Sequence, residues 1–383
     1  MKNNLWMTVI GLVITISVGF QLTPAVAQSY TITDLGTLHY HQPHYTNEPF
    51  ASEAMAVNNL GQVVGNSNGH AFLWSRGKMI SLGTLGGANS EAVAINDGGE
   101  IVGNSDTGKF YESGDSTNPQ IEYHHAFLWR RGKMMDFGNV GNYQGMNSIR
   151  IGAKSINNEG QAIIYVSASI DHCSFLYSDG EVKEINDNRS GRSDFPFAAG
   201  AINNTSQMAG SRRGFHGIPG QGDMHAMTYT KGSVKDIHTK AQNESSWGIA
   251  INNKGDVVGE LSMKASLGTG TRTHPFLYIH GRMKDLGLLP GAETGEAASL
   301  NDKDQIVGTM LAPNEMETYA SDNRAFLYND GRLIDLNNFL PRGSKWVRLV
   351  EANGINNRGQ IVGSGIIKAG IRTELHAFLL TPK

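Results

Sequence analysis

Three histidines crowd one short stretch: His39, His41 and His44 in "HYHQPHY". Three imidazoles around an open coordination position can hold a catalytic Zn²⁺ or another divalent metal. Spacing fixes no carboxylate beside them, so a polar loop with solvent-facing histidines explains the same residues. Five further histidines, His70, His125, His225, His274 and His376, recur in copies of one short motif, with Cys173 and Arg324 in the two other copies. Eleven residues after the first six of these seven positions stand Ser81, Asp136, Glu184, Asp236, Asp285 and Asp335. In a tight hairpin that spacing sets the start of one strand beside the end of the next. A bond repeated in almost every copy suits a tie between sheet and loop, because chemistry needs one site. Residues that break the repeat are better candidates for recognition: Tyr143, Arg212, Arg213, His216, Trp247, Trp346, Glu315 and Glu317. Aromatics beside arginine and carboxylates suit a sugar or peptide ligand, although packing between loops explains each tryptophan taken singly. The ligand-binding set is therefore Tyr143, Arg212, Trp247 and Trp346, and the metal set is His39, His41 and His44. Asn301–Asp304 resembles a calcium loop but lacks the later glutamate, so it reads as a turn. No nucleophile elbow, phosphate loop or zinc-protease motif occurs, and no catalytic residue is assigned.

These residues hang on a repeat. Asn58, Asn96, Asn157, Asn203, Asn252, Asn301 and Asn356 each open a stretch like "NDGGEIVG", followed by one like "HAFLW" and, in all but the last copy, one like "GKMMDFG". "EAVAI" alternates as a strand does. In "NDGG" the asparagine tolerates a left-handed backbone, and glycine supplies positive φ at Gly61, Gly99, Gly160, Gly255 and Gly359, with Ser206 and Asp304 in the other copies. "EIVG", "HAFLW" and "KMMDF" are three more strands, the last two joined at a glycine hairpin. The final copy stops at "HAFLLTPK", and the missing piece, "YTITDLGTL", stands at Tyr30–Leu38. A complete seventh copy needs both termini. The expected fold is all-β: a seven-bladed β-propeller of four-stranded blades, closed by pairing an N-terminal strand into the C-terminal blade. The blades fall at about 54–85, 92–138, 153–186, 199–237, 248–286, 297–336, and 352–380 plus 30–35. In that topology the short turns share one face. The variable loops, including 66–69, 104–124 and 211–224, share the other, where binding residues are expected.

Residues 1–27 read as a cleaved signal peptide: Lys2, an apolar Leu5–Phe20, then Ala25 and Ala27 before the cut. Residues 28–383 then form a single domain with no later transmembrane span. The net charge of −3 leaves no basic footprint for nucleic acid, and the lone Cys173 excludes an intrachain disulfide.

"HAFLW", "HPFLY", "RAFLY" and "HAFLL", with "GKM…LGTLGG" and "AINDGGEIVG", resemble the HAF repeat of exported bacterial proteins across essentially the whole mature chain. The resemblance implies a periplasmic, secreted or cell-surface protein and carries over no catalytic residues. Blades three and four depart most, with Cys173, Ile164 and "HAMTY" replacing the usual residues. The combined reading is a monomeric binding or interaction module for a glycan, peptide or cell-envelope partner on the long-loop face, requiring no cofactor. The alternative is an extracytoplasmic hydrolase or lyase acting on polysaccharide or glycan, metal-assisted at the histidine cluster. Converging carboxylates near the channel would favour the enzyme.

Overall fold

The computed structural model describes residues 29–38, 51–112, 120–138, 140, 150–167, 172–185, 197–213, 223–239, 244–264, 271–313 and 322–383. Among them are 28 strands, numbered β1–β28 in chain order, and one short 3-10 turn at Leu336–Phe339. The described fold is all-β, and none of its helices is long and apolar enough to cross a membrane. The 1–27 segment, the histidine stretch around His39, His41 and His44, and Tyr143, His216, Glu315 and Glu317 lie outside the described residues.

The strands form six sheets of four to eight strands, and each sheet is an open path rather than a closed barrel. In the eight-stranded sheet two four-stranded meanders meet through one parallel pair, Arg150 opposite His124. The chain therefore runs through seven four-stranded units. In the last, β26 (Trp346–Ile355), β27 (Ile361–Ala369) and β28 (Arg372–Pro382) are joined by β1 (Tyr30–Gly36), with Thr31 opposite Thr381 and Asp34 opposite Phe378.

The repeated motif residues build what lies between units. Phe72, Phe127, Phe276, Phe326 and Phe378, the phenylalanines of the HAF-like motif, are fully buried. Phe127 packs with Val64, Leu73 and Ala92, which places it between the first two units. Burying one such ring stabilises by about 2–3 kcal/mol. The first strand of every unit carries a β-bulge, between Ala54 and Ala56 in the first and at the equivalent place in the other six, and β26 has two further register shifts nearer its start. A bulge bends and twists its strand and leaves one residue unpaired. It also brings the backbones so close that a Cβ on Gly65 would collide with the Glu53 carbonyl oxygen; Gly103, Gly210, Gly259, Gly308 and Gly363 face the same constraint. The third unit has Ile164 there, and its glycine is instead Gly152 in the facing strand.

The seven asparagines do not serve as left-handed turn residues; the positive φ falls on the glycine, or on Ser206 (59°) and Asp304 (60°). Their side chains bond instead. Asn58 Oδ1 accepts from the N–H groups of Leu60 and Gln62, tightening its own turn. Its Nδ2 donates to the Asn96 carbonyl at 3.0 Å, Asn96 donates to Asn157, and Asn157 to Asn203. Asn203 donates to Asn252, Asn252 to Asn301, and Asn301 to Asn356. Asn356 donates back to Asn58 at 2.8 Å. A second circuit runs one residue later: the Asn59 N–H donates to Asp97, and the sequence continues through Asn158, Asn204, Asn253, Asp302 and Asn357 back to Asn59.

Candidate functional site

Both circuits surround a cavity of about 170 Å³ lined by three residues from each unit: Val57, Asn58 and Asn59 in the first, and their equivalents in the others. It marks the short-turn end of a central channel. The amides there are mutually hydrogen-bonded, so this end holds units together. The first strands climb from it toward the variable loops.

Five residues before each asparagine, roughly 15 Å up the strand, stand Glu53, Glu91, Gly152, Ala198, Trp247, Glu296 and Glu351. This position is not uniform. Its partner on the second strand is Asn66, Asn104, Tyr165, Ser211, Glu260, Thr309 or Ser364. The carboxylates act on one another in sequence around the channel. Burial raises the Glu260 carboxyl to about 7, and the Glu296 charge adds to that. Glu296 is raised by burial and then by Glu351. Glu53 is raised by burial and then by Glu351 and Glu91. Glu53 and Glu296 are exposed as residues, but the surrounding protein still desolvates their carboxyls. Burial and like charge both disfavour the ionised form. Asn104 Nδ2 donates to Glu91 at 2.6 Å.

The arc of glutamates breaks at the third unit. A Cβ on Gly152 would collide with the Tyr165 ring, so the missing side chain is what admits the phenol. The Lys154 ammonium lies 4.9 Å from the Tyr165 ring centroid. Burial and then the Glu91 charge raise the Tyr165 hydroxyl, with Arg150 opposing. At the fifth unit Trp247 takes the glutamate position and Glu260 stands opposite it.

The HAF-motif histidines sit elsewhere, one in each of several units. His125 Nδ1 is 2.9 Å from Asp136, His225 is 2.7 Å from Asp236, and His274 is 3.0 Å from Asp285. His376 is 2.8 Å from Asp34, on β1. Each acid also accepts the N–H two residues on, at Gly138, His238, Gly287 and Gly36. The pair ties the third strand to the departing loop. Arg324 meets Asp335 in the same way at 3.4 Å. Burial alone would raise the Asp34 carboxyl, but bonds from His376, Lys345 and the Gly36 N–H hold it well below the usual range.

Three expected ligand residues need correction. Arg212, Trp247 and Trp346 lie in strands, not loops. Trp346 is buried and meets Phe378 edge-on at 6.1 Å, so it is core. Arg212 follows Ser211, which holds in its unit the position that Glu260 holds in the fifth, and strand alternation turns it to the other side of its sheet. Of the set, Trp247 shares the channel position. The loops are shorter than expected: most of 104–124 is the hairpin of β7 (Ile101–Glu112) and β8 (Gln120–Arg130), and β15 (Met208–Arg213) extends into 211–224. The glutamate arc was missed. Comparing the seven copies five residues before the asparagine would have found it. Among the described residues no group of three or more His, Cys, Asp or Glu side chains is arranged to hold a metal ion.

No protein-family model matches the chain, and no curated protein matches it. Solved structures do, one of them a β-propeller domain. The chain is similar to the β-propeller domain of the Trilobed protease from Pyrococcus furiosus, at 10% identity over 87% of this chain and 94% of that one, with a TM-score of 0.48. It is similar to a xyloglucanase from Xanthomonas campestris at 10% identity over 90% of this chain, TM-score 0.49, spanning 55% of that enzyme. It is also similar to an ulvan lyase at 11% identity, over 83% of this chain and 92% of that one, TM-score 0.40.

Proposed function

We propose that this chain is an exported HAF-repeat protein whose seven units are the blades of a closed propeller, β1 completing the seventh, and that it binds a glycan at the long-loop mouth of the channel. The asparagine circuits returning to their start support the closure. One observation carries the binding reading. Along the same inner strands, the asparagine end is the same in every unit, while the position five residues earlier varies and gathers Glu53, Glu91, Glu296, Glu351 and Trp247. Carboxylates accept hydrogen bonds from sugar hydroxyls, and an indole offers a face to a sugar ring. A mouth with this many acids repels a polyanionic chain, so the favoured ligand is neutral or amine-bearing. Binding of this kind needs no cofactor. The test is a glycan array probed with the mature protein and with Trp247→Ala. Neutral or amine-bearing glycans bound by wild type and lost in the variant support the reading; retention of only sulfated or uronate glycans sinks it.

A second reading rests on Glu260. A carboxyl that keeps its proton near neutrality beside a second carboxyl, Glu296, is what acid-catalysed glycoside cleavage requires. Reducing-end release from neutral polysaccharides, abolished in Glu260→Gln, would establish it. Release equal in wild type and variant would remove Glu260 from any such role.

A further inference from the structure

The third unit departs from the others in a way that places cations at the mouth. Its inner strand, β10 (Arg150–Ile156), carries Arg150 and Lys154, both exposed, and neither forms an ion pair among the described residues. Lys154 is the residue that the β-bulge leaves unpaired; the register jumps from Ala153 to Ser155 across it. The equivalent bulge residues in the other units are Met55, Val93, Gly200, Ile249, Ala298 and Asn353, none of them charged. A bulge re-aims the side chain it carries, and here the ammonium is directed over the Tyr165 ring. That ring occupies the space beside Gly152, where four of the other units carry glutamate. Stacking on an aromatic face holds an ammonium in place while leaving its N–H groups free to donate.

We infer that Arg150 and Lys154 form a carboxylate-binding subsite, so that the ligand of the channel mouth is a glycan carrying both amino and carboxylate groups, its amines toward Glu53, Glu296 and Glu351 and its carboxylate on the third unit. This rests on the glycan reading above. A lone cationic ligand leaves Arg150 and Lys154 unpaired in the complex, and a lone anionic one meets the glutamates. A mixed-charge chain satisfies both sides. Trp247 supplies a sugar-stacking face, which favours a glycan over a basic peptide.

The experiment is isothermal titration of the mature protein with three tetrasaccharides: a glucosamine oligomer bearing amines only, a hyaluronan oligomer bearing carboxylates only, and its N-deacetylated form bearing both. The mixed form binds at least about tenfold tighter than either other form, each tenfold being about 1.4 kcal/mol. Lys154→Gln and Arg150→Gln each bring it down to the level of the amine-only oligomer, leave that oligomer's affinity unchanged, and keep the wild-type melting temperature. Gly152→Ala, which replaces neither cation but displaces the Tyr165 ring from under Lys154, weakens the mixed form as well. If the amine-only oligomer binds as tightly as the mixed one, or if both glutamine variants leave the mixed form unaffected, the subsite is wrong while the glycan reading stands. If no tetrasaccharide binds, the subsite falls and the glycan reading keeps only its neutral ligands.

Discussion

The two ends of the inner strand obey opposite rules. At the short-turn end every unit presents the same buried asparagine, which donates to the next unit's carbonyl. At the loop end the same strand presents glutamate, glycine, alanine or tryptophan. Passing a hydrogen bond to the next unit is a task repeated at each joint, so each joint uses the same group. Binding an asymmetric ligand needs one orientation, so the symmetry has to be broken where contact occurs. The asparagine amides at the first end donate to the next unit's backbone carbonyl; at the second, Glu53, Glu260 and Glu296 are raised, by burial first and by neighbouring like charge second. Such strain persists where it serves a site rather than the fold.

The largest expected effect comes from breaking the uniform end. Asn301→Ala removes donation to the Asn356 carbonyl and Gln305, and acceptance from the N–H groups of Lys303 and Gln305. Leaving those buried groups unpaired costs about 3 kcal/mol in chemical denaturation, with ligand affinity unchanged. A loss under about 1 kcal/mol would dissolve the contrast, because that end would then not be holding the ring.

Next comes the joint between the termini. Asp34 has its carboxyl held below the ordinary range, so its stabilisation is complete above about pH 4 and declines as acid titrates it. Asp34→Asn costs about 1–2 kcal/mol at pH 7, and the gap from wild type narrows in urea melts as pH falls below about 4. A gap independent of pH would mean that the His376 and Lys345 contacts contribute nothing through charge.

At the other end the sign reverses. Glu260 is raised, so the folded state is favoured at low pH and loses stability as pH rises toward about 7. Glu260→Gln is therefore level with wild type near pH 5 and more stable by about 1 kcal/mol near pH 8, after allowance for solvent screening. Equal melting temperatures at both pH values would show that the folded state does not raise the Glu260 carboxyl. The smallest stability change is expected for Trp247→Ala, within about 0.5–1 kcal/mol as for a half-exposed side chain, while glycan affinity is lost. A large drop in stability with affinity retained would move Trp247 from the mouth to the core, as the structure does for Trp346.

Part of this was legible in the chain. The spacing from the motif histidine to its acid is a local distance in a hairpin, and His125–Asp136, His225–Asp236 and His274–Asp285 meet across it. Period-two alternation and glycine turns mark four strands per copy. Residues that merely break the pattern were a weaker guide: Trp346 breaks it and packs against Phe378, and Arg212 breaks it on the side of its sheet away from Ser211. A break in a repeat says that a position differs, not which way it faces.

Sequence alone determined the number of repeated copies and the strands in each, because these depend on order and spacing along the chain. Tertiary structure decided what the asparagines bond to and which residues share the channel mouth. Glu53 and Glu351 lie almost the whole chain apart, and Glu260 and Glu296 sit on strands of different units. Their charges meet only when the units stand around a common axis, and no local pattern records that distance.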